Sequence, residues 1–276
     1  MVIQGKKALV TGAASGIGRA TALALAGKGA VLFITDINEL GLKQTAQEIE
    51  NQGGTVALAK ALDISDHEAV RGLAQEIHGA HGALDILMNN AGVALFAQPQ
   101  DVTMEDWRKI INVNLWGVIH GIECFIPEMV KSGKGGHVVN VSSTAGLFGL
   151  PWHLAYCASK HGVVGMSEVL RYDLHKYNIK VTVVCPGAVN TGILDSVKIK
   201  AAASNVEHLK AKFRKMALTP EKVGGQIVRA IEKNQYLLIT SGDIKALYFF
   251  KTKCFPVYHG IMRLVTRFMD KDLGIR

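Results

Sequence analysis

Lys7-Ala8-Leu9-Val10-Thr11-Gly12-Ala13-Ala14-Ser15-Gly16-Ile17-Gly18 is the stretch on which the fold turns. An apolar, β-forming run stops at a turn holding three glycines, and a helical pattern follows from about residue 16. Glycine at such a turn allows a tight bend, close approach of backbone to a pyrophosphate, and close packing of the helix on the strand. The helix then offers free N–H groups and its positive dipole end to an anion. The spacing is G-x3-G-x-G rather than the G-x-G-x-x-G of the general dinucleotide fingerprint, and glycines at a βα turn also meet purely backbone needs.

Outward from this turn, the same alternation repeats. Further β-rich runs lie at Ala30–Thr35, Thr55–Leu62, Leu84–Asn89, His137–Ser142, Lys180–Cys185 and Tyr236–Ile239. Helical patterns fill 16–28, 38–52, 66–80, 103–132, 154–177 and 219–233. The strands are continuously apolar, as expected where helices cover both faces of a sheet. Repeated strand–helix alternation predicts an α/β fold: a doubly wound parallel sheet of about seven strands (a Rossmann fold). No repeat or linker divides the chain, so one domain spans 1–242, with a helical C-terminal extension at 243–276.

Composition narrows the class. The chain has 276 residues, 49% hydrophobic and 20% charged, with 29 glycines and 6 prolines, which excludes disordered, collagen-like and disulfide-scaffold chains. Cys124, Cys157, Cys185 and Cys254 are scattered without ligand spacing, so reduced thiols in a cytoplasmic protein are expected, and no metal site. The N-terminal residues run straight into the first strand, and no run of eighteen apolar residues occurs, so neither a signal peptide nor a membrane span is expected. The net charge of +8 is uneven. Residues 1–197 carry 15 Lys+Arg against 17 Asp+Glu, and residues 198–276 carry 16 against 6, giving −2 and +10. This basic end lacks a nucleic-acid-binding motif, so nucleic acid is not an expected partner.

Asp36 ends the second strand, eighteen residues after Gly18. There an acidic side chain can accept from both ribose hydroxyls of an adenine dinucleotide, and it would repel a 2′-phosphate, so NAD is favoured over NADP. Capping of the helix that begins near Asn38 is the competing role. Asp63-Ile64 and Asn89-Asn90-Ala91-Gly92 leave the carboxyl ends of the next two strands, where ligands of open α/β sheets sit.

Tyr156 and Lys160 stand four apart at the start of a helix and share one face. Tyr172 and Lys176 repeat the spacing about 24 Å further along, at 1.5 Å per residue, which suits a solvated face rather than chemistry. Ser142 and Ser143 end the fifth strand, and adjacent strand residues point oppositely, so at most one should face the site. Asn114 lies in the apolar helix 103–132, where it is either functional or a structural hydrogen-bonding group.

Taken in order, T-G-x3-G-x-G at Thr11–Gly18, Asn89-Asn90-Ala91-Gly92, Asn114, Ser143, Tyr156-x3-Lys160 and Pro186-Gly187 resemble the short-chain dehydrogenase/reductase family over about residues 5–240. The resemblance implies an oxidoreductase with NAD held by Gly12, Ser15, Gly16, Ile17, Gly18, Asp36, Asp63, Ile64, Asn90, Ala91, Gly92, Tyr156, Lys160, Pro186, Gly187, Val189 and Thr191. It implies Asn114, Ser143, Tyr156 and Lys160 as the catalytic set. Tyr156 would exchange the hydroxyl proton, Ser143 would bind the substrate oxygen, Lys160 would lower the Tyr156 pKa and bind ribose, and Asn114 would hold a water. A phenol near pKa 10 needs lowering by about three units, about 4 kcal/mol, to work near neutrality. One cation at about 5 Å and an effective dielectric of about 20 supplies about 3 kcal/mol. Lysine alone is therefore marginal, and lysine plus oxidised nicotinamide is sufficient. A non-catalytic NAD-sensing regulator on the same fold is the alternative, though it would be expected to lack the tyrosine or lysine.

Leu95, Phe96, Leu147, Phe148, Leu150, Trp152, Ile193 and Leu194 are expected around the reacting carbon, with His153 as an ordinary loop histidine. They suit an apolar alcohol or ketone. Residues 198–215 resemble the family's mobile lid. Family resemblance also implies a homodimer or homotetramer. In the extension, aromatic and apolar residues interleave with Lys245, Lys251, Lys253, Arg263 and Arg267, which fits either a peripheral membrane contact or a subunit contact. Some membrane-associated hydroxysteroid dehydrogenases of the family carry a similar extension.

Overall fold

Strand β1 (Lys7–Thr11) sends Ala8 and Val10 into one core and Leu9 into another, on opposite sides of the sheet. All three are buried, as two helical layers require. The computed structural model describes residues 1–191, 198–199, 214 and 217–272. Six strands join β1 in one sheet: β2 (Val31–Asp36), β3 (Thr55–Ala61), β4 (Ile86–Asn89), β5 (Gly136–Val141), β6 (Ile179–Cys185) and β7 (Leu237–Ile239). The order is β3-β2-β1-β4-β5-β6-β7, with every pairing parallel. The doubly wound sheet expected from the alternation is thus present, each strand ending within two residues of its predicted bounds.

Helices α1 (Gly16–Ala26), α2 (Glu39–Asn51) and α7 (Pro220–Glu232) cover one face through residues such as Leu25, Leu42, Ile49, Val223 and Ile227. The other face is covered by α3 (His67–His81) and α5 (Gly117–Ser132), through Val70, Leu73, Ile77, Phe125 and Met129. The chain winds outward in both directions from β1 and β4, so their carboxyl ends open a crevice at the switch point.

The predicted helix 103–132 is continuous but not uniform. Between α4 (Met104–Ile111) and α5 lies a π-helical turn, Asn112–Trp116, and Asn114 sits in it without solvent exposure. Among the described residues, Met104–Ser132 is the one helix long and apolar enough to cross a bilayer. It serves here as a core helix, with Ile110, Phe125 and Met129 buried. Helix α6 (Leu154–Asp173) follows, with Tyr172 exposed to solvent as its spacing suggested.

Leu95–Phe96 pairs in parallel with Lys198–Ile199 as a second, two-stranded sheet. Two-residue strands are too short to leave a periodic signal, so the sequence does not announce them. The C-terminal extension forms α8 (Gly242–Lys253) and α9 (Phe255–Asp272). Its inward residues, among them Ile244, Tyr248, Tyr258 and Met262, join one core cluster with Leu147, Phe148 and Ile239.

Candidate active site

The crevice at the switch point is a cleft of about 840 Å³. Its floor begins with Thr11, the last residue of β1. Thr11 Oγ1 accepts from the N–H groups of Asn90 at 2.9 Å and Ala91 at 3.1 Å. Asn90 Nδ2 donates back to the carbonyls of Thr11 at 2.9 Å and Gly12 at 3.2 Å. The loop after β4 is thereby fastened to the glycine turn. Thr11 entered the sequence reading only as the first residue of the glycine motif, with no role assigned, although a hydroxyl ending a buried strand must find partners and so carries a signal.

Two glycines of the turn have no room for a side chain. A Cβ on Gly12 would lie 2.8 Å from Ala91 Cα, and one on Gly18 would lie 2.0 Å from the Gly12 carbonyl oxygen. Gly12 and Gly16 also adopt left-handed φ values of 69° and 55°. Ser15, the N-cap of α1, makes no side-chain capping bond, whereas Asn38, Asp66 and Thr103 cap α2, α3 and α4. The first N–H groups of α1 are left for another acceptor at the mouth of a bare-backbone cradle, which fits the pyrophosphate of a dinucleotide.

Of the predicted cofactor-binding residues, Gly12, Ser15, Gly16, Ile17, Asp36, Asp63, Ile64, Asn90, Ala91, Gly92, Tyr156, Lys160, Pro186, Gly187, Val189 and Thr191 line this cleft. Gly18 lies behind the turn, buried. Asp36 borders the cleft but does not cap α2, whose N-cap is Asn38. Asp36 Oδ2 accepts from the Ala14 N–H and Oδ1 from the Asn38 N–H, each at 2.9 Å. Lys109 and Asn112 also reach the lining from α4 and the π-turn, and no sequence motif marked them.

At the other end, Ser143 faces the cleft as a neighbour of Tyr156. Its hydroxyl accepts from the Ala145 N–H at 3.1 Å and lies near enough to the Tyr156 phenol to bear on its acidity. Ser142 lines the cleft as well, against the expectation that at most one serine faces it, but its Oγ donates to the Lys160 carbonyl at 2.9 Å. Lys160 is buried, donates to the Val141 carbonyl at 3.0 Å, and stands 5.9 Å from the Tyr156 ring centroid. Burial pulls the Lys160 ammonium down to about 8. Burial also pushes the Tyr156 phenol above its ordinary range, and the nearby Ser143 hydroxyl offsets this in part. The phenol is therefore not made acidic by Lys160 alone; desolvation wins, as the marginal Coulomb balance for a single cation allowed.

Asn114 does not line the cleft. Its side chain clamps Val93, accepting from the N–H at 2.8 Å and donating to the carbonyl at 2.9 Å, and Nδ2 reaches Ser159 Oγ at 3.3 Å. A Cβ on Gly92 would lie 3.1 Å from Asn114 Oδ1 and 3.4 Å from Lys160 Nζ, so amide and ammonium border one small volume.

The predicted apolar wall needs correction. Leu95, Phe96, Leu147, Phe148, Leu150 and Trp152 are not among the residues lining the cleft. Leu147 and Phe148 are buried beneath α8 and α9, and Leu95 packs with Ala97, Ile110 and Ala155. Apolar character marks a residue for burial without saying which apolar surface it joins. Ile193, Leu194 and residues 200–213 and 215 of the expected lid lie outside the described residues. His153 is more than a loop histidine. It is buried, its ring lies 6.1 Å from that of Tyr156 and 4.0 Å from that of Phe96, and burial drags its pKa down to about 4.

One group of metal-ligating types comes together among the described residues, His67, Glu123 and Cys124, on α3 and α5. Its members satisfy one another, with His67 Nε2 2.9 Å and Cys124 Sγ 3.1 Å from Glu123 Oε2. Burial, with the nearby carboxylate, pushes the Cys124 thiol up to about 12, away from the thiolate a metal needs.

Comparison with known proteins agrees with this geometry. The short chain dehydrogenase family matches residues 6–202. The probable oxidoreductase EphD of Mycobacterium tuberculosis is 38% identical over 87% of this chain, which spans only 41% of that longer relative. The NAD(+) 15-hydroxyprostaglandin dehydrogenase of Homo sapiens is 39% identical over 72% of this chain and 73% of its own length. A short-chain dehydrogenase/reductase from Burkholderia phymatum, solved in complex with NAD, superimposes with a TM-score of 0.84 at 29% identity, covering 93% of this chain and 96% of that one. With a doubly wound sheet, an open glycine cradle and a family match over residues 6–202, the chain belongs to the short-chain dehydrogenase/reductase family of oxidoreductases, which bind nicotinamide cofactors and act on CH–OH or carbonyl groups.

Proposed function

We propose that this chain is an NAD-dependent oxidoreductase interconverting a hydrophobic secondary alcohol and its ketone, with Tyr156 as general acid/base. The observation that carries the proposal is that Ser143, Tyr156 and Lys160 line one end of the same cleft, with the Lys160 ammonium 5.9 Å from the Tyr156 ring centroid. The bound dinucleotide would accept hydride in oxidation and donate it in reduction. The N–H groups opening α1 and the bare turn of Gly12, Gly16 and Gly18 would hold its pyrophosphate. Asp36 would accept from the adenosine ribose hydroxyls, Asp63 and Ile64 would border the base, and Asn90 to Gly92 with Pro186 to Thr191 would complete the walls.

At the reacting end, Tyr156 takes the proton from the alcohol oxygen, or returns it to the carbonyl oxygen, while Ser143 donates a hydrogen bond to that oxygen. Lys160 binds the second ribose and adds positive potential. Asn114 positions Val93 and keeps its amide beside the ammonium, where it can hold a water. The neutral His153, its ring 6.1 Å from that of Tyr156 and backed by Phe96, favours an uncharged, apolar substrate over a sugar phosphate. A purely NAD-sensing protein would need neither the Ser143–Tyr156 pair nor a buried lysine.

Residues 1–242 carry all these groups, with 243–276 as an extension. Exposed Trp116, Leu154, Val169 and Tyr172 support assembly as a homodimer or homotetramer. The free cysteines suit the cytoplasm.

The test is Tyr156→Phe, assayed on a series of secondary alcohols, sterols and long-chain alcohols included, with NAD and NADP in parallel. Turnover should fall by about 10²–10⁴-fold, the usual range for general acid–base catalysis, while NAD affinity stays nearly constant. Comparable turnover in the variant would reject Tyr156, and wild-type preference for NADP would reject the assignment of Asp36.

A further inference from the structure

Every exposed phenylalanine among the described residues, Phe249, Phe255 and Phe268, lies in the last two helices. The remaining described phenylalanines are buried or half-buried in the body of the fold or, as Phe250, against it. Large apolar side chains held in water at one end of a well-packed chain ask for a partner.

Helix α9 shows how that surface is organised. At 100° per residue, about 360° over 3.6 residues, Val257, Leu264 and Phe268 fall within about 40° of arc. All three are exposed, by 43%, 53% and 56%. Tyr258 and Met262, buried against the core, lie on a neighbouring arc, and Arg263 and Arg267 lie on the opposite flank of the stripe, exposed. Helix α8 repeats the mixture, with Phe249 exposed between Lys245 and Lys253. None of these four cations is in an ion pair among the described residues.

From this arrangement we infer that α8 and α9 form a docking surface for an anionic lipid bilayer. A helix lying in the interface sets apolar side chains at the acyl boundary while lysines and arginines meet lipid phosphates, and the stripe and its basic flank supply both. A second copy of the chain is the poorer occupant. Two-fold self-contact would set the same unpaired arginines against one another, at a cost in like-charge repulsion.

The inward side of the same helices meets the loop between Ser143 and Tyr156. Lys251 Nζ donates to the Leu147 carbonyl, and Tyr258 stacks on Phe148 with ring centroids 5.9 Å apart. Docking would therefore hold that loop, and the substrate end of the cleft, near the bilayer. This suits an apolar substrate, but the docking inference stands whatever the substrate is.

Flotation of the full chain with phosphatidylcholine vesicles, and with vesicles containing phosphatidylserine as well, tests it. The full chain should float with the anionic vesicles and much less with neutral ones. Each basic residue near an anionic surface contributes about 1 kcal/mol, a factor of about five, so Arg263→Gln with Arg267→Gln should weaken binding about thirtyfold. Phe249→Ser, Leu264→Ser and Phe268→Ser together should abolish it. All five positions are exposed, and an unchanged thermal midpoint in each variant shows that the fold is kept. Equal flotation with neutral vesicles, no flotation, or undiminished binding by either variant would overturn the inference. So would a full chain that self-associates and loses only that association in the serine variant.

Discussion

Asp36 Oδ2 accepts a hydrogen bond from the backbone N–H of Ala14 at 2.9 Å, tying the end of β2 to the glycine turn. Together with the bond from Asn38 N–H to Oδ1, this fixes the carboxylate before any ligand arrives. Each oxygen keeps a further lone pair, enough for two ribose hydroxyls.

Two predictions meet at this residue. Asp36→Ala should raise the Kd for NAD about 10–100-fold, the worth of one or two hydrogen bonds to a charged acceptor. NADP should suffer less, because removing the carboxylate also removes repulsion of the 2′-phosphate. Isothermal titration with both cofactors measures the two changes. Equal losses would mean that Asp36 supports the turn without discriminating between them.

The Tyr156 phenol supplies a prediction about charge. Burial holds it above its ordinary range in the free chain, and the nearby Ser143 hydroxyl does not outweigh this. Catalysis near neutrality then requires a second cation besides Lys160, and oxidised nicotinamide carries one. Difference absorbance of phenolate, wild type minus Tyr156→Phe, should show no Tyr156 ionisation below about pH 10 in the free chain. It should show one several units lower with NAD bound. An ionisation near neutrality without NAD would contradict the electrostatic balance.

The strands and helices were legible in the sequence because seven continuously apolar runs alternate with amphipathic helices, and both signals survive burial. The glycine turn, Asp36, the loop at Asn90 and the Tyr156–Lys160 pair were legible because each falls at the carboxyl end of a strand or on the helix next to one. The role of Thr11, which begins the glycine motif, was not, since it consists of hydrogen bonds to a loop 79 residues away. The apolar wall was misplaced for another reason. Phe148 is as apolar in a core as in a pocket, and only the fold of α8 and α9 over it tells which it occupies. The π-turn around Asn114 likewise depends on the clamp to Val93, a tertiary bond that helical periodicity does not register.

Acid should destabilise the fold through two buried histidines. Burial holds both His137 and His153 at about 4, whereas an unfolded histidine titrates near 6.5. Between those values the unfolded chain binds more protons, so stability is complete above about pH 6.5 and falls as pH drops toward 4. Each contributes at most on the order of 3 kcal/mol across that window. Urea midpoints should fall steadily from about pH 7 to about pH 5. His137→Gln, which can keep a hydrogen bond to Thr182, should flatten the slope by about half; an unchanged slope would show that other groups set it.

Phe148 and Phe249 stand 101 positions apart in the chain, and the structure sets their substitutions at opposite extremes. Phe148 has no exposed surface. It lies between Tyr258, stacked at 5.9 Å, and Tyr248, edge-on at 6.3 Å, with the Lys251 ammonium 5.9 Å from its ring centroid. Phe148→Ala should cost about 3–5 kcal/mol, because three groups from the C-terminal helices lose the side chain they close upon. Phe249 is 58% exposed, and Phe249→Ala should change stability by no more than about 0.5 kcal/mol. Denaturant titration of both variants checks the contrast. The same cavity loosens the loop between Ser143 and Tyr156, so Phe148→Ala should also raise KM for the alcohol more than for NAD, whose adenosine half binds at the far end of the cleft. A variant of Phe148 no less stable than that of Phe249 would mean that α8 and α9 do not clasp this loop in solution.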